Sequence, residues 1–289
     1  YEYSGRVILA VSSQLTCYHI RKGIMRVVGP GNTVVSEAAR RPIRCIAILS
    51  AMTSELAPVK KSLAIARRPR NGEAYCTGTY KGVTVITAVT NMGLAASQAA
   101  TEALFAHYGD RIDHLFVVGV AGAYDQRLKI GEVVIPESVV DHRDGIVRYP
   151  TNLGTREPSG LIYSSDQLSY SEDYVDLLNS KNVTAVDMES GAITAVCQRH
   201  GCPVTIVRAV SDRVDVLAES YDVFHLAHAD GSPKYLAALR FVLRRPQRIA
   251  YLVATGIGAK KAIDAATAEL RKNIETLLHR ASHAETTAD

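Results

Sequence analysis

Two kinds of apolar spacing alternate along most of the chain and predict strands followed by helices. A buried-strand pattern at 45–49 precedes helical spacing over 53–64, and the β-rich runs 74–80 and 83–89 flank Lys81-Gly82, a hairpin signal. Further helices are predicted at 94–107, 171–178, 189–199 and 263–278, and further strands at 115–118, 131–140, 204–210 and 249–254. This alternation predicts an α/β fold with three layers, α/β/α, around a central mixed β-sheet.

The limits of this alternation of strands and helices along the chain predict the domain organisation. Residues 1–42 do not share the pattern of the later residues and are predicted to form an N-terminal extension, while 43–284 form the main domain. Within it, 213–258 fits the alternation poorly and is predicted to be an insertion. That segment carries four arginines and ends in Gly256-Ile257-Gly258, which we interpret as a turn before the last helix. The four arginines are Arg240, Arg244, Arg245 and Arg248.

Composition narrows the class of protein. Apolar residues make up 47% and charged residues 21% of the 289 residues, as in a globular protein. The net charge of only +4 and the absence of Trp disfavour nucleic-acid binding. No run is long enough for a membrane span and no signal-peptide pattern is present, so we expect a cytoplasmic protein. Because the chain begins with Tyr1, processing or truncation of a longer chain is expected.

Three acidic segments follow or end predicted strands, where open α/β sheets bind ligands. Glu55 lies in the first turn of a predicted helix, Asp187-Met188-Glu189 opens another, and Ser211-Asp212 ends the strand 204–210. Each acid by itself is explained by helix capping or by the helix dipole. The three segments together, in this order, are more specific than any one of them.

The chain resembles the nucleoside phosphorylase and nucleosidase superfamily, and most closely the methylthioadenosine/adenosylhomocysteine nucleosidases. The resemblance covers about 44–212 and resumes in the last helix. It implies a fold like that of purine nucleoside phosphorylase. The motifs that carry it are Ala51-Met52 with Glu55, Gly119-Val120-Ala121-Gly122, Leu128 to Val134, Ser165-Asp166-Gln167-Leu168, Asp187-Met188-Glu189 and Arg208-Ala209-Val210-Ser211-Asp212.

The resemblance implies a role for each acid in breaking the bond between ribose and a purine. Asp212, oriented by Ser211, would protonate the departing base, and Glu55 would activate the attacking water. Glu189 would bind the ribose hydroxyls while Met188 packs on the sugar. A proton held on Asp212 at neutral pH requires a pKa raised by burial. The other implied substrate-binding positions are Ala121, Gly122, Gln167, Leu168 and Asp187.

Water is favoured over phosphate as the nucleophile. The loop 50–55 contains no Arg, and Val120 stands where phosphorylases of this superfamily often have Ser or Thr. A buried phosphate would therefore lack partners. We expect hydrolysis of a purine ribonucleoside of the methylthioadenosine or adenosylhomocysteine type, without metal or organic cofactor, with no nucleic-acid or membrane partner, and in a homo-oligomer by analogy.

Three alternatives stay open at this point. The first is a phosphorylase, and the second is a nucleotide N-glycosidase whose arginine-bearing insertion binds a 5′-phosphate. The third is a sensor domain that binds a nucleoside without turnover. Leu168, where the family commonly has Phe, leaves the identity of the base open.

Overall fold

The computed structural model divides into two compact units, residues 1–42 with 280–289 and residues 43–279. In the first unit, β1 (Arg6–Val11), β2 (Gln14–Arg21) and β3 (Ile24–Val28) form an antiparallel sheet in the order β1-β2-β3. The structure describes residues 6–11, 14–21, 24–28, 42–65, 75–166, 172–213 and 249–286.

A mixed sheet forms the centre of the second unit. The part of the chain that the structure describes contributes ten strands to it: β4 (Cys45–Ser50), β5 (Cys76–Tyr80), β6 (Val83–Val89), β7 (His114–Ala123), β8 (Val133–Val134), β9 (Ser138–Asp141), β10 (Val147–Arg148), β11 (Leu161–Ser164), β12 (Val183–Asp187) and β13 (Val204–Arg213). Eight of them lie in the order β10-β9-β11-β12-β7-β4-β6-β5, while β13 pairs with β7 and β8.

Helices cover both faces of this sheet, as the side chains of β4 illustrate. The helices are α1 (Thr53–Ser62), α2 (Leu94–Tyr108), α3 (Glu172–Ser180), α4 (Ser190–His200) and α5 (Ile249–Thr286). Ala47 and Leu49 belong to the core beneath α2 and α4, whereas Ile46 and Ile48 belong to the core beneath α1 and α5. The strand is apolar up to Leu49 because both of its faces are buried. The predicted three-layer α/β/α class is confirmed.

Three predicted elements were wrong. The segment 131–140 is not one strand but two, β8 and β9, separated at Pro136, which has no backbone N–H to donate to a ladder. The apolar run 249–254 is not a strand, and Gly256-Ile257-Gly258 is not a turn, because all of these residues lie inside α5. Local apolar patterning does not distinguish a short buried strand from a buried helical segment.

No helix among the described residues is long and apolar enough to cross a membrane. Residues 214–248, which hold most of the predicted insertion and its four arginines, lie outside the described residues.

Candidate active site

The C-terminal half of β7 connects the acidic residues singled out from the sequence. Val120 donates its backbone N–H to Glu55, and Gly122 pairs in register with Asp212 of β13. Gly119, the residue before Val120 on β7, has to lack a side chain, since a Cβ at this position would lie 2.7 Å from Oε1 of Glu55 and in contact with Arg208. Successive residues of a strand are about 3.3 Å apart, so Val120 and Gly122 are separated by roughly 7 Å.

Glu55 is fixed by donors from three parts of the chain. Its Oε2 accepts hydrogen bonds from the Ser50 hydroxyl at 2.7 Å and from Met52 N at 3.0 Å, while Oε1 accepts from Val120 N at 2.9 Å. The bond to Met52 N is the capping interaction that starts α1, as the helix-cap explanation predicts. The residue is only 2% exposed. These hydrogen bonds hold the carboxylate in one position.

A buried arginine joins the next two acids. The guanidinium of Arg208, which is 1% exposed, lies 2.8 Å from Asp187 and 3.1 Å from Glu189. It also donates to the Ser190 hydroxyl and to the carbonyl of Val120. Asp187 accepts further hydrogen bonds from the Ser164 hydroxyl and from the backbone of Ser190 at the start of α4. Asp187 thus anchors the helix start, and Glu189 is held beside β7.

Glu189 lies in an environment that favours its protonated form. Burial raises the pKa of this carboxyl to about 7, the Asp187 charge also raises it, and Arg208 opposes the shift. Its Oε1 accepts a hydrogen bond from Gly93 N at 3.1 Å, where α2 begins. Near neutral pH the group can therefore accept hydrogen bonds from sugar hydroxyls or donate one.

A β-bulge in β13 presents Asp212. The pairing with β7 shifts between Val210 and Asp212, so that Ser211 is the extra residue. The Ser211 hydroxyl lies 3.5 Å from the carbonyl oxygen of Ala121 and within hydrogen-bonding contact of the Asp212 carboxyl. Burial raises the pKa of Asp212, while the bond from Ser211 lowers it. The net shift is upward, which is the direction that a general acid requires.

The structure brings most of the predicted site residues together along β7. Glu55, Asp187, Glu189 and Asp212 are linked through β7 and Arg208, and Ala121 and Gly122 belong to the same strand segment. Met188 is half-buried between the two acids of its motif. Gln167 and Leu168 lie outside the described residues.

The role of Arg208 was not predicted, although its motif was recognised. The available signal was a charged residue inside the apolar strand pattern of 204–210, because a fully buried arginine almost always needs charged partners. Ser50, Ser164 and Ser190 bond through their hydroxyls to Glu55, Asp187 and Arg208. Nothing in the sequence distinguishes them from other serines.

Curated relatives are nucleosidases. The chain is 25% identical over 228 residues to the aminodeoxyfutalosine nucleosidase of Helicobacter pylori, a match over 68% of this chain and 98% of the relative. It is 26% identical over 198 residues to the 5′-methylthioadenosine/S-adenosylhomocysteine nucleosidase of Lysinibacillus sphaericus, a match over 58% of this chain and 85% of that protein.

The solved structures with the same fold include proteins that are also named as nucleosidases. A methylthioadenosine/adenosylhomocysteine nucleosidase of H. pylori superposes with a TM-score of 0.62 at 20% identity, over 81% of this chain and 99% of the other. An aspartate-to-asparagine variant of the H. pylori enzyme, which holds 5′-methylthioadenosine in its active site, gives a TM-score of 0.61, also at 20% identity, over 80% of this chain and 98% of that one.

The family assignment rests on a match to most of the second unit. The family model described as the phosphorylase superfamily matches residues 45–156 and 150–239, a range that contains Glu55, Glu189 and Asp212. The resemblance inferred from the motifs is therefore confirmed: this chain belongs to the phosphorylase superfamily.

Proposed function

We propose that this chain is a nucleosidase that hydrolyses the N-glycosidic bond of a purine ribonucleoside with a 5′-thioether, such as methylthioadenosine or adenosylhomocysteine. The observation that carries the proposal is the placement of Glu55 and Asp212 against positions about 7 Å apart on one strand. Hydrolysis of a glycosidic bond in general uses two carboxyl groups, one that protonates the leaving group and one that acts on the sugar side of the bond. The names of both groups of relatives support the same reaction class.

In the proposed reaction each acid moves one proton. Asp212 gives its proton to the purine as the bond to the anomeric carbon breaks and the electron pair of that bond leaves with the base. Glu55 takes a proton from the water whose oxygen bonds to the anomeric carbon. The products are the free base and a sugar with a hydroxyl at that carbon. The net proton change is zero once Glu55 returns its proton to solvent and Asp212 regains one.

The charge of the site favours water over phosphate. Arg208 is already matched by Asp187 and Glu189, and Glu55 adds a further acidic group within hydrogen-bonding distance of Val120 N. A phosphate dianion placed here would meet carboxylates and no uncommitted guanidinium from Arg208, and an unpaired buried anion is strongly disfavoured. Phosphorolysis is therefore the weaker alternative.

Product analysis with and without phosphate tests the proposal. Purified protein is incubated with methylthioadenosine, adenosylhomocysteine, aminodeoxyfutalosine, adenosine and AMP, and free base and sugar are quantified. We expect base release from a thioether nucleoside at the same rate whether or not phosphate is present. A sugar 1-phosphate that forms only with phosphate would contradict hydrolysis, and no base release from any substrate would contradict the whole proposal. Release from AMP or aminodeoxyfutalosine alone would overturn the thioether substrate.

A further inference from the structure

Helix α5 contacts the bulge that presents Asp212 through a glycine. A Cβ built on Gly258 would lie 3.2 Å from the carbonyl oxygen of Ser211 and 3.1 Å from Cγ2 of Ile130, closer than most Cβ contacts in proteins. Gly258 is buried, whereas Gly256, two residues earlier in the same helix, has nothing within 4 Å of such a Cβ. The lack of a side chain at Gly258 therefore allows α5 to pack directly against the Ser211 backbone.

The bulge is held on its other sides by hydrogen bonds. Val210, just before it, accepts a bond from Gly131 N at 2.7 Å and donates to Glu132 O at 2.9 Å. The Ser211 hydroxyl faces the carbonyl of Ala121 on β7. A displacement of the Ser211 backbone therefore passes to Asp212, the next residue, because the preceding residues are fixed to two neighbouring segments.

Helix α5 cannot easily move away from the sheet. One and two turns beyond Gly258, Ala262 and Ala266 are 0% and 1% exposed and belong to the core between α5 and the sheet. Small residues at these positions bring the helix axis close to the sheet. An added methyl at Gly258 would therefore displace the bulge or the exposed side chain of Ile130 before it displaced α5.

We propose that Gly258 is a positioning residue for the reaction, since its close approach to Ser211 sets the place of the bulge that presents Asp212. This inference rests on the proposed function, in which Asp212 is the general acid. Gly258 touches neither substrate nor reacting atoms and acts through Ser211. The role explains why α5 carries a glycine of low helix propensity at a buried position.

The test compares Gly258→Ala with Gly256→Ala, because both exchange a helical glycine for alanine and only one adds a contact. The matched control should raise Tm by about 1–4 °C through helix propensity, with unchanged kcat. Gly258→Ala should fold and lower kcat by about tenfold, with a smaller change in KM, since a misplacement of about 1 Å can cost about 10²-fold in rate and the shift expected here is smaller. The alkaline limb of its pH profile should move to lower pH as Asp212 becomes more hydrated.

A readout without substrate separates this inference from the proposed function. We expect the carbon-13 NMR titration of the Asp212 carboxyl to shift to lower pH in Gly258→Ala and to stay in place in Gly256→Ala. Identical titrations and pH profiles in the two variants would overturn the positioning role. A wild-type protein without nucleosidase activity would overturn the proposed function instead, while the titration still tests the contact.

A double variant assigns the effect to the backbone. Ile130→Ala removes one of the two close contacts, so Ile130→Ala/Gly258→Ala should retain most of the kcat loss if the Ser211 carbonyl carries the effect. Full recovery would show that Ile130 alone is responsible and would contradict the proposal. Should Gly258→Ala not fold, the roomier double variant carries the same comparison, and unfolding of both would make the residue structural only.

Discussion

Glu55 has its two carboxylate oxygens occupied by Ser50, Met52 and Val120, so its position is set before any substrate binds. A catalytic group that is already in position increases the rate because no reorganisation is needed during the reaction. Replacement of Glu55 by Gln keeps the volume and removes the ability to take a proton from water. We expect kcat to fall by about 10²–10⁴-fold, because general bases typically contribute this much.

Steady-state kinetics of Glu55→Gln, with circular dichroism as a check of folding, makes this measurement. Glu137→Gln serves as the control, since Glu137 is an exposed acid outside the site. The control should keep wild-type kcat. A Glu55→Gln enzyme with kcat within threefold of wild type would remove Glu55 from water activation.

The contribution of Arg208 to stability can be measured as a change in the free energy of unfolding. Removal of one partner from a buried ion pair leaves uncompensated charge and destabilises a protein by about 3–5 kcal/mol. Arg208→Gln leaves Asp187 and Glu189 without their cation, so we expect a loss of this order in the free energy of unfolding.

Urea denaturation of Arg208→Gln and of Arg199→Gln compares a buried with an exposed ion pair. Arg199 contacts Glu102 at the surface, with side chains 52% and 43% exposed. Such pairs contribute about 0–1 kcal/mol. Equal unfolding free energies for the two variants would contradict the importance of the buried cluster.

At the scale of elements, the pairing of β7 with β13 buries a histidine. His114 of β7 is 2% exposed, and its Nε2 lies 2.9 Å from the hydroxyl of Thr205 on β13. That hydroxyl donates to the carbonyl of Thr151, so the ring donates its Nε2 proton to Thr205. Burial lowers the pKa of His114 to about 3. The ring is therefore neutral in the folded protein.

This burial predicts loss of stability in mild acid. The folded pKa lies below the unfolded value of 6.5, so between these values the unfolded chain binds a proton that the folded chain does not. The contribution is small at pH 7 and amounts to a loss of about 2 kcal/mol by pH 5. The raised pKa values of Glu189 and Asp212 act in the opposite direction.

Comparison with His114→Gln isolates the histidine from those carboxyls. The Gln amide can still donate to Thr205 and does not titrate. In urea unfolding at pH 7 and pH 5, we expect the wild type to lose about 2 kcal/mol more than the variant over this interval. Parallel pH dependence of the two proteins would show that His114 is not buried as a neutral ring.

Elements with a distinctive sequence period were predictable, and short ones were not. The hairpin of β5 and β6 and the helices α1, α2 and α4 agree with the apolar spacing. Strands β11 and β12 have four and five residues and no period of their own, so the pattern did not reveal them. The bulge at Ser211 is set by pairing with a strand about 90 residues away, which no local pattern contains.

At the scale of the whole molecule, the fold class and the family could be predicted from the sequence. The acids follow strands or end them, and the topology of the mixed sheet brings them to one strand, β7. What could not be predicted is the charge balance, because the pairing of Arg208 with Asp187 and Glu189 depends on three segments meeting in space. The assignments of 1–42 as an N-terminal extension and of 213–258 as an insertion stay predictions.

The central claim is that Asp212 protonates the departing base. The most direct measurement is the single-turnover rate of Asp212→Asn with methylthioadenosine and with a nitrophenyl riboside, whose leaving group needs no proton. We predict a loss of about 10²–10⁴-fold in adenine release and little change with the nitrophenyl riboside. Adenine release at the wild-type rate, or equal losses with both substrates, would contradict the assignment of Asp212 as the acid.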